Sequence, residues 1–163
     1  MLPNEALLES GALATRLTEE SSAWQTLLDA LQQEEHALVE GEADRLPKMN
    51  AVKMAQLQTL SSLARARHAA LQAAGFSPDQ NGMAAWLAQQ AKPECHALWE
   101  GLQRMEQRAQ AMNQRIGVLV ELRLNATRQA LNVLVQAAKS QGGMYDQAGC
   151  SVTSNKGKPL AAA

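Results

Sequence analysis

A run of apolar residues spaced alternately four and three apart constrains the fold of this chain more than any other feature. The run extends from Leu98 to Ala137, and Arg123 is its only polar member. Its positions are Leu98, Leu102, Met105, Ala109, Met112, Ile116, Leu119, Arg123, Ala126, Ala130, Val133 and Ala137. Because this spacing keeps every member on one helical face, it predicts a last helix over about residues 93–139. At 1.5 Å per residue this helix is about 70 Å long, so we expect an elongated molecule.

A similar pattern predicts a first long helix over residues 4–40. Its apolar seam repeats every seven residues at Leu17, Trp24, Leu31 and Leu38, with Leu13 and Leu27 or Leu28 in the intermediate turns. We expect Asn4 or Ser10 to cap this helix, and Gly41 to end it.

The next segment predicts a second long helix. Asp44 is expected at its N-cap, Pro47 falls in its first turn, and Gly75 ends it. The stripe that we expect to face the core is Leu46, Met49, Lys53 through its stem, Leu57, Leu60, Leu63 or Ala64, Arg67 and Leu71. Because the connection at Gly41 is short, the first two helices are expected to form an antiparallel hairpin.

A short helix is predicted between the second and last long helices. The sequence Ser77-Pro78-Asp79-Gln80 is typical of a capping box that begins at Ser77, and the helix contains Trp86 and Leu87 and ends near Gln90. Pro93 then begins the last helix. The predicted fold is therefore all-α, an elongated antiparallel helical bundle or coiled coil of three long helices and one short helix.

The last 23 residues have a different composition. Residues 141–163 are rich in Gly, Ser, Ala and Lys and have no apolar periodicity, although they contain Tyr145, the single tyrosine. Such a segment buries too little surface to offset the entropy lost on ordering, so we predict a disordered tail. The sequence thus predicts a helical bundle domain over residues 1–140 and a flexible tail over residues 141–163.

Charge, cysteine content and the N-terminal sequence narrow the classes of partner and compartment. Fifteen basic residues nearly balance sixteen acidic ones, so no strong field favours nucleic acid or an anionic membrane. Two cysteines far apart, Cys95 and Cys150, indicate free thiols in a reducing compartment. Neither a signal peptide nor an eighteen-residue apolar window is recognisable, and we therefore expect a cytoplasmic protein.

The residues that could support catalysis are few. His36, His68 and His96 fall in three different helices, without an HExxH or CxxC motif. Cys95 and His96 are sequence neighbours, which point about 100° apart on a helix and cannot act as a thiolate pair. We therefore expect no enzyme activity, no catalytic residue, no cofactor and no metal site.

The last helix carries more apolar residues than one seam requires. Its surplus supplies a candidate face for another protein, which we place at Leu119, Val120, Leu124, Leu131, Leu134 and Val135. We expect residues 125–138 to extend past the turn at Gly41. Three explanations remain open: the first two helices cover the surplus, two copies of the chain pair through it, or it receives an amphipathic segment of another protein.

Three ordered segments resemble the FlgN family of flagellar export chaperones. They are EEHALVEGEADRLPKMNAVKMAQL, MNQRIGVLVELRLNATRQALNVL and GGMYDQAG, and together they span about residues 27–149. The matching positions are Glu34, Glu35, Gly41, Lys53, Asn113, Gly117, Arg123, Leu131, Tyr145 and Gly149. The chain departs from the family at Asp146, where glycine usually follows the tyrosine.

The resemblance implies a cytoplasmic chaperone of the flagellar type III secretion system that works without a cofactor. Such proteins bind the C-terminal region of hook-filament junction proteins, prevent early assembly, and deliver them to the export gate. The resemblance also implies that Tyr145 contacts the substrate or the gate. The alternative is a structural coiled-coil protein whose apolar surplus is the seam of a homodimer.

Overall fold

The computed structural model describes residues 3–89 and 92–142, and the side chains of residues 11–89 and 92–140. It contains the helices α1 (Pro3–Glu40), α2 (Leu46–Ala73), α3 (Gln80–Gln89) and α4 (Pro93–Gly142), with a 3-10 turn at Ala43–Arg45. No strand occurs within these residues, so the predicted all-α fold of three long helices and one short helix is confirmed. Tyr145, Cys150 and the rest of the predicted tail beyond Gly142 lie outside the described residues.

The chain divides into two compact units, one up to Val120 and the other from Glu121. The first unit contains α1, α2, α3 and the N-terminal part of α4. The described part of the second unit is the C-terminal part of α4. The predicted division into a helical bundle domain at 1–140 and a flexible tail at 141–163 stays a prediction.

Two glycines end the first two helices as predicted. Gly41 has a φ of 82° and Gly75 a φ of 83°, a left-handed conformation that costs glycine little. The following residues turn back on the helix, since the Glu42 N–H donates to the Ala37 carbonyl at 2.9 Å and the Phe76 N–H to the Leu71 carbonyl at 2.9 Å. Both ends are therefore Schellman caps, in which glycine satisfies carbonyls that the helix leaves open.

The N-caps predicted for the first two long helices, α1 and α2, were wrong. Asn4 and Ser10 lie within α1, so neither caps it. Asp44 lies in the 3-10 turn, and Arg45, which makes no side-chain capping hydrogen bond, stands at the N-cap of α2. The 3-10 turn moves the start of α2 one residue later than predicted, and Pro47 still falls in its first turn.

At α3 the cap is Asp79 rather than Ser77. The Asp79 Oδ1 accepts a hydrogen bond from the Gly82 N–H at 2.8 Å and another from the Ser77 hydroxyl at 2.7 Å. The serine therefore orients the cap instead of forming it. A Cβ atom at position 82 would lie 1.8 Å from the Ser77 carbonyl oxygen, so this close approach requires glycine.

Buried side chains of the first unit form two clusters. The four-helix cluster takes residues from every α-helix: Leu13, Leu17, Leu71, Met83, Trp86, Leu87, Cys95 and Leu102. The three-helix cluster takes residues from α1, α2 and α4: Leu27, Leu28, Leu31, Leu38, Leu60, Ala109, Met112 and Ile116. The predicted seams of α1 and of the first half of α4 are thus confirmed as core. Leu57, expected in the core stripe of α2, is instead 43% exposed.

Two ion pairs show the register of the hairpin formed by α1 and α2. Lys53 contacts Glu34 at 2.9 Å, and Arg67 contacts Glu20 at 2.8 Å. Residue numbers 34 and 53 add to 87, and so do 20 and 67. A constant sum is what an antiparallel pair with one unbroken register requires, because each step forward in α1 matches a step back in α2. The predicted antiparallel hairpin is therefore confirmed.

Candidate functional site

The most buried charges of the described residues join α1, α2 and α4. The Arg67 guanidinium donates from Nε to Glu20 Oε2 at 2.8 Å and from Nη2 to Oε1 at 3.3 Å. It also lies over the ring of Trp99, 5.0 Å from the ring centre. Both charged residues are buried, so the pair and the cation–π contact fix the three helices relative to one another.

Two further pairs lie beside the three-helix cluster. The Lys53 ammonium donates to both carboxylate oxygens of Glu34 at 2.9 Å, while Arg115 of α4 donates from Nε to Glu35 of α1 at 3.0 Å. The hydrogen bond from Arg115 to Glu35, together with the negative charge of Glu35, raises the pKa of Arg115. Adjacent carboxylates of α1 therefore hold α2 and α4, one each.

Sequence reasoning missed these pairs, although a signal was present. Glu20 and Glu34 continue the seam of α1 at steps of three or four, and Lys53 and Arg67 lie in the predicted stripe of α2. Acidic residues in one seam opposite basic residues in the other predict pairing once the two helices run antiparallel. Because each of these charges pairs with an opposite charge on the neighbouring helix, their role is structural.

The three histidines are not brought together in a way that forms a site. His36 and His96 are exposed, and His68 is half-buried. Cys95 is buried in the four-helix cluster. Within residues 3–89 and 92–142, no group of three or more His, Cys, Asp or Glu side chains could hold a metal ion.

The apolar surplus of α4 is exposed to solvent. Of the six candidate residues, Leu124, Leu131, Leu134 and Val135 are exposed, with Leu134 at 67%, and Val120 is exposed to a lesser degree. Leu119 differs, because it is half-buried against the three-helix cluster. Every described side chain from 121 to 140 is exposed. Three further apolar residues of α4 that were not placed on the candidate face are also exposed, namely Val118, Leu122 and Val133.

Helical periodicity separates the exposed apolar residues into two faces. At about 100° per residue, Leu124, Leu131, Leu134 and Val135 of the second unit fall within an arc of about 100°. We call this set the Leu131 face. Leu122 and Val133 fall on a second arc.

Six polar residues lie on a third side of this part of α4, whereas Thr127 falls within the arc of the Leu131 face and Gln129 beside the second arc. The members are Glu121, Asn125, Arg128, Asn132, Gln136 and Lys139. They fall within an arc of about 80° at the same angular step. The helix is therefore amphipathic with a wide apolar side, as expected for a helix that contacts more than one partner element.

No helix among the described residues is long and apolar enough to span a bilayer.

Comparison with known proteins gives one match. The model of the family described as FlgN protein matches residues 9–152, most of the chain. No curated protein and no solved structure matches the chain.

Proposed function

This chain belongs to the FlgN family of flagellar export chaperones, and we propose that its substrates are hook-filament junction proteins, bound through their C-terminal region. The observation that supports this substrate most is the Leu131 face. Four large apolar side chains on one arc of a helix are exposed there. Monomeric proteins rarely expose contiguous apolar surface unless it binds something.

The mode of binding that fits this face is helix against helix. An amphipathic helix of the substrate presents apolar residues at i, i+3, i+4 and i+7, and these match a stripe with the same spacing on α4. Burying a leucine from each side contributes about 1.5–3 kcal/mol per side chain. Several such contacts suffice for a complex that is stable in the cell and reversible at export.

The proposed mechanism is mass action without covalent chemistry. A substrate bound in the cytoplasm has its assembly helices covered, and the free concentration available for early self-association falls with the ratio of chaperone concentration to Kd. Release at the export gate requires a competing contact, which we assign to the segment around Tyr145. A single aromatic ring in a polar segment contributes much of its affinity by burying one large apolar surface.

The test of the face is a matched pair of double substitutions. Leu131→Glu with Leu134→Glu should weaken binding of a junction protein's C-terminal fragment by at least about 100-fold, because two buried leucines are lost. Asn132→Glu with Gln136→Glu adds the same charge to the polar side of α4 and should leave affinity nearly unchanged. Isothermal calorimetry measures both, and circular dichroism checks that helicity is kept. Equal affinity of the two variants would contradict the Leu131 face.

The role of Tyr145 is tested in cells. Tyr145→Ala should reduce export of the junction proteins and motility while leaving the melting temperature of the purified chain unchanged. Tyr145→Phe, which keeps the ring, is the control and should retain most of the motility. Normal swimming by the alanine variant would refute the proposed contact.

The second candidate is a structural homodimer, which the same exposed face favours. In that case two copies of α4 pair through the Leu131 face, and added junction fragment has no effect. Light scattering of the free chain distinguishes the two. A stable dimer that ignores the fragment supports the homodimer, whereas a monomer that forms a 1:1 complex supports the chaperone proposal.

A further inference from the structure

The two clusters of the first unit differ in the number of elements that enclose them. In the four-helix cluster, α3 packs against α2, and its side chains Met83, Trp86 and Leu87 are buried with Leu102 of α4. In the three-helix cluster, only α1, α2 and α4 contribute buried residues. The ten-residue helix α3 therefore closes the bundle beside the four-helix cluster, whereas no fourth helix among the described residues closes it beside the three-helix cluster.

A cleft of about 180 Å³ lies beside the three-helix cluster. Lys53 and Leu57 line it from α2, Ala109, Gln110 and Asn113 from α4, and Trp24, Leu27 and Leu31 from α1. A second cleft of about 240 Å³ shares Trp24 and is lined by Leu60, Ser61 and Ala64 of α2 and by Glu106 of α4, among others. We call the two clefts together the α2–α4 groove.

The chemistry of the groove favours an apolar occupant. Leu57 is 43% exposed at its edge, although it lies within the apolar stripe of α2. The first cleft has space for a benzene-sized group, since an apolar cavity of about 150 Å³ binds benzene. The Trp24 side chain borders both clefts. An element seated in the groove therefore covers Trp24 and buries Leu57.

The charges of the groove restrict the occupant further. Lys53 and Arg67 line it but already bind Glu34 and Glu20, so both charges are compensated. Glu106 on α4 is exposed and acidic. An occupant with an apolar face and a basic residue at its flank complements this surface.

We propose that the α2–α4 groove receives one amphipathic helix of the export substrate. Helix α3 shows the kind of segment that this chain packs against its own helices. Helix α3 is ten residues long and inserts Met83, Trp86 and Leu87, which are spaced i, i+3 and i+4. The occupant has the same spacing and carries a lysine or arginine opposite Glu106. This inference rests on the proposed function, because it names a second contact for the same substrate.

The experiment compares two residues of α2 with equal exposure. Leu57 and Val52 are each 43% exposed, but Val52 lines a different cleft with Ala30 and Lys48. Calorimetry with the C-terminal fragment of a junction protein should show at least about tenfold weaker binding to Leu57→Glu, because one leucine is lost from the interface. Val52→Glu should bind as the unmodified chain does. Circular dichroism melts check both folds, and Leu57→Ala gives a smaller loss of affinity without adding charge.

Trp24 supplies an independent spectroscopic measurement. In a chain with Trp86→Phe and Trp99→Phe, Trp24 is the remaining tryptophan. Saturating fragment should shift its emission to shorter wavelength, because the occupant closes both clefts over the indole. An unchanged spectrum at saturation would overturn the groove assignment.

The outcomes separate the two proposals. If the unmodified chain fails to bind the fragment, the proposed function falls, and this inference falls with it. If the unmodified chain and Leu57→Glu bind equally well, only the groove is refuted and the Leu131 face stands. If Leu57→Glu converts a dimer of the free chain to a monomer in light scattering, a second copy fills the groove and the assignment to substrate is wrong.

Discussion

Helix α4 carries one apolar pattern through two regions that differ in burial. Between 95 and 116 the pattern is core, and Leu102 is 1% exposed. Between 121 and 140 the same four-three spacing continues, yet all described side chains are exposed. A periodic apolar stripe therefore shows that a helix has a face, but not whether its own chain supplies the partner. The second region is where an external partner is proposed.

The difference lies in what faces each region. The covered region packs against the leucine seam of α1 and against α3, and it lies beside the buried ion pair of Glu20 and Arg67. Leucine contributes to stability only when another surface removes it from water. The exposed region of α4 thus retains free energy of burial that a partner can use.

The largest difference between the two regions in the free energy of unfolding is expected for a substitution of Arg67, which links α1 to Trp99 in the covered region. Arg67→Met leaves the buried Glu20 carboxylate without its partner and should lower the free energy of unfolding by about 3–5 kcal/mol. Arg128→Met removes the same charge from the exposed region and should change it by less than about 0.5 kcal/mol. Urea denaturation measures both variants. Adding Glu20→Leu to Arg67→Met should recover part of the loss, whereas an equal or greater loss would show that the pair is not the cause.

A smaller but still large difference in the free energy of unfolding is expected between substitutions of two leucines of α4. Leu102→Ala leaves a cavity in the four-helix cluster and should cost about 2–5 kcal/mol. Leu131→Ala removes an exposed side chain and should cost less than about 0.5 kcal/mol in the free chain. The ranking should reverse for affinity towards the junction fragment, measured by calorimetry. Similar unfolding costs for the two variants would mean that the second region is covered in solution.

The smallest effect concerns the cap of α3, the helix that closes the bundle beside the four-helix cluster. The hydrogen bond from the Gly82 N–H, followed by that from the Ser77 hydroxyl, lowers the pKa of Asp79. A lowered folded pKa means that the carboxylate stabilises the fold above its unfolded pKa of about 4 and loses this effect as pH falls towards the folded value. Thermal melts from pH 7 to pH 3 should therefore fall less steeply for Asp79→Ala than for the unmodified chain.

Asp44 provides the control for that measurement. It is an exposed aspartate that also stands near a helix start, but it lies in the 3-10 turn rather than at an N-cap. Asp44→Ala should keep the pH dependence of the unmodified chain. If both alanine variants flatten the curve equally, capping of α3 is not its origin.

The elements that the sequence predicted best are those set by local rules. The glycine ends of α1 and α2 follow from the freedom of glycine at positive φ, and the seam of α1 follows from helical spacing. The predictions failed where local rules compete. Ser77 and Asp79 both suit an N-cap, and the Ser77 hydroxyl binds the Asp79 side chain, which leaves Asp79 to accept the backbone N–H.

The candidate site was predictable only as a set of residues on a helix. The apolar surplus beyond the seam selected Leu131, Leu134 and Val135, but it could not distinguish Leu119, which packs against the three-helix cluster. Nor could it show that Leu57 is exposed while Leu60, one turn away, is buried. These outcomes depend on which helices approach each other, and that depends on residues far apart in the chain.

The sequence by itself determined the all-α class, the helix ends at Gly41 and Gly75, and the family, because periodicity, backbone preferences and ordered motifs are properties of short segments. Tertiary structure alone decided which acidic residue meets which basic one, that α3 closes one end of the bundle, and that a groove stays open above Trp24. The physical reason is that burial and ion pairing arise between segments. Their free energy exists only once the antiparallel register has brought those segments together.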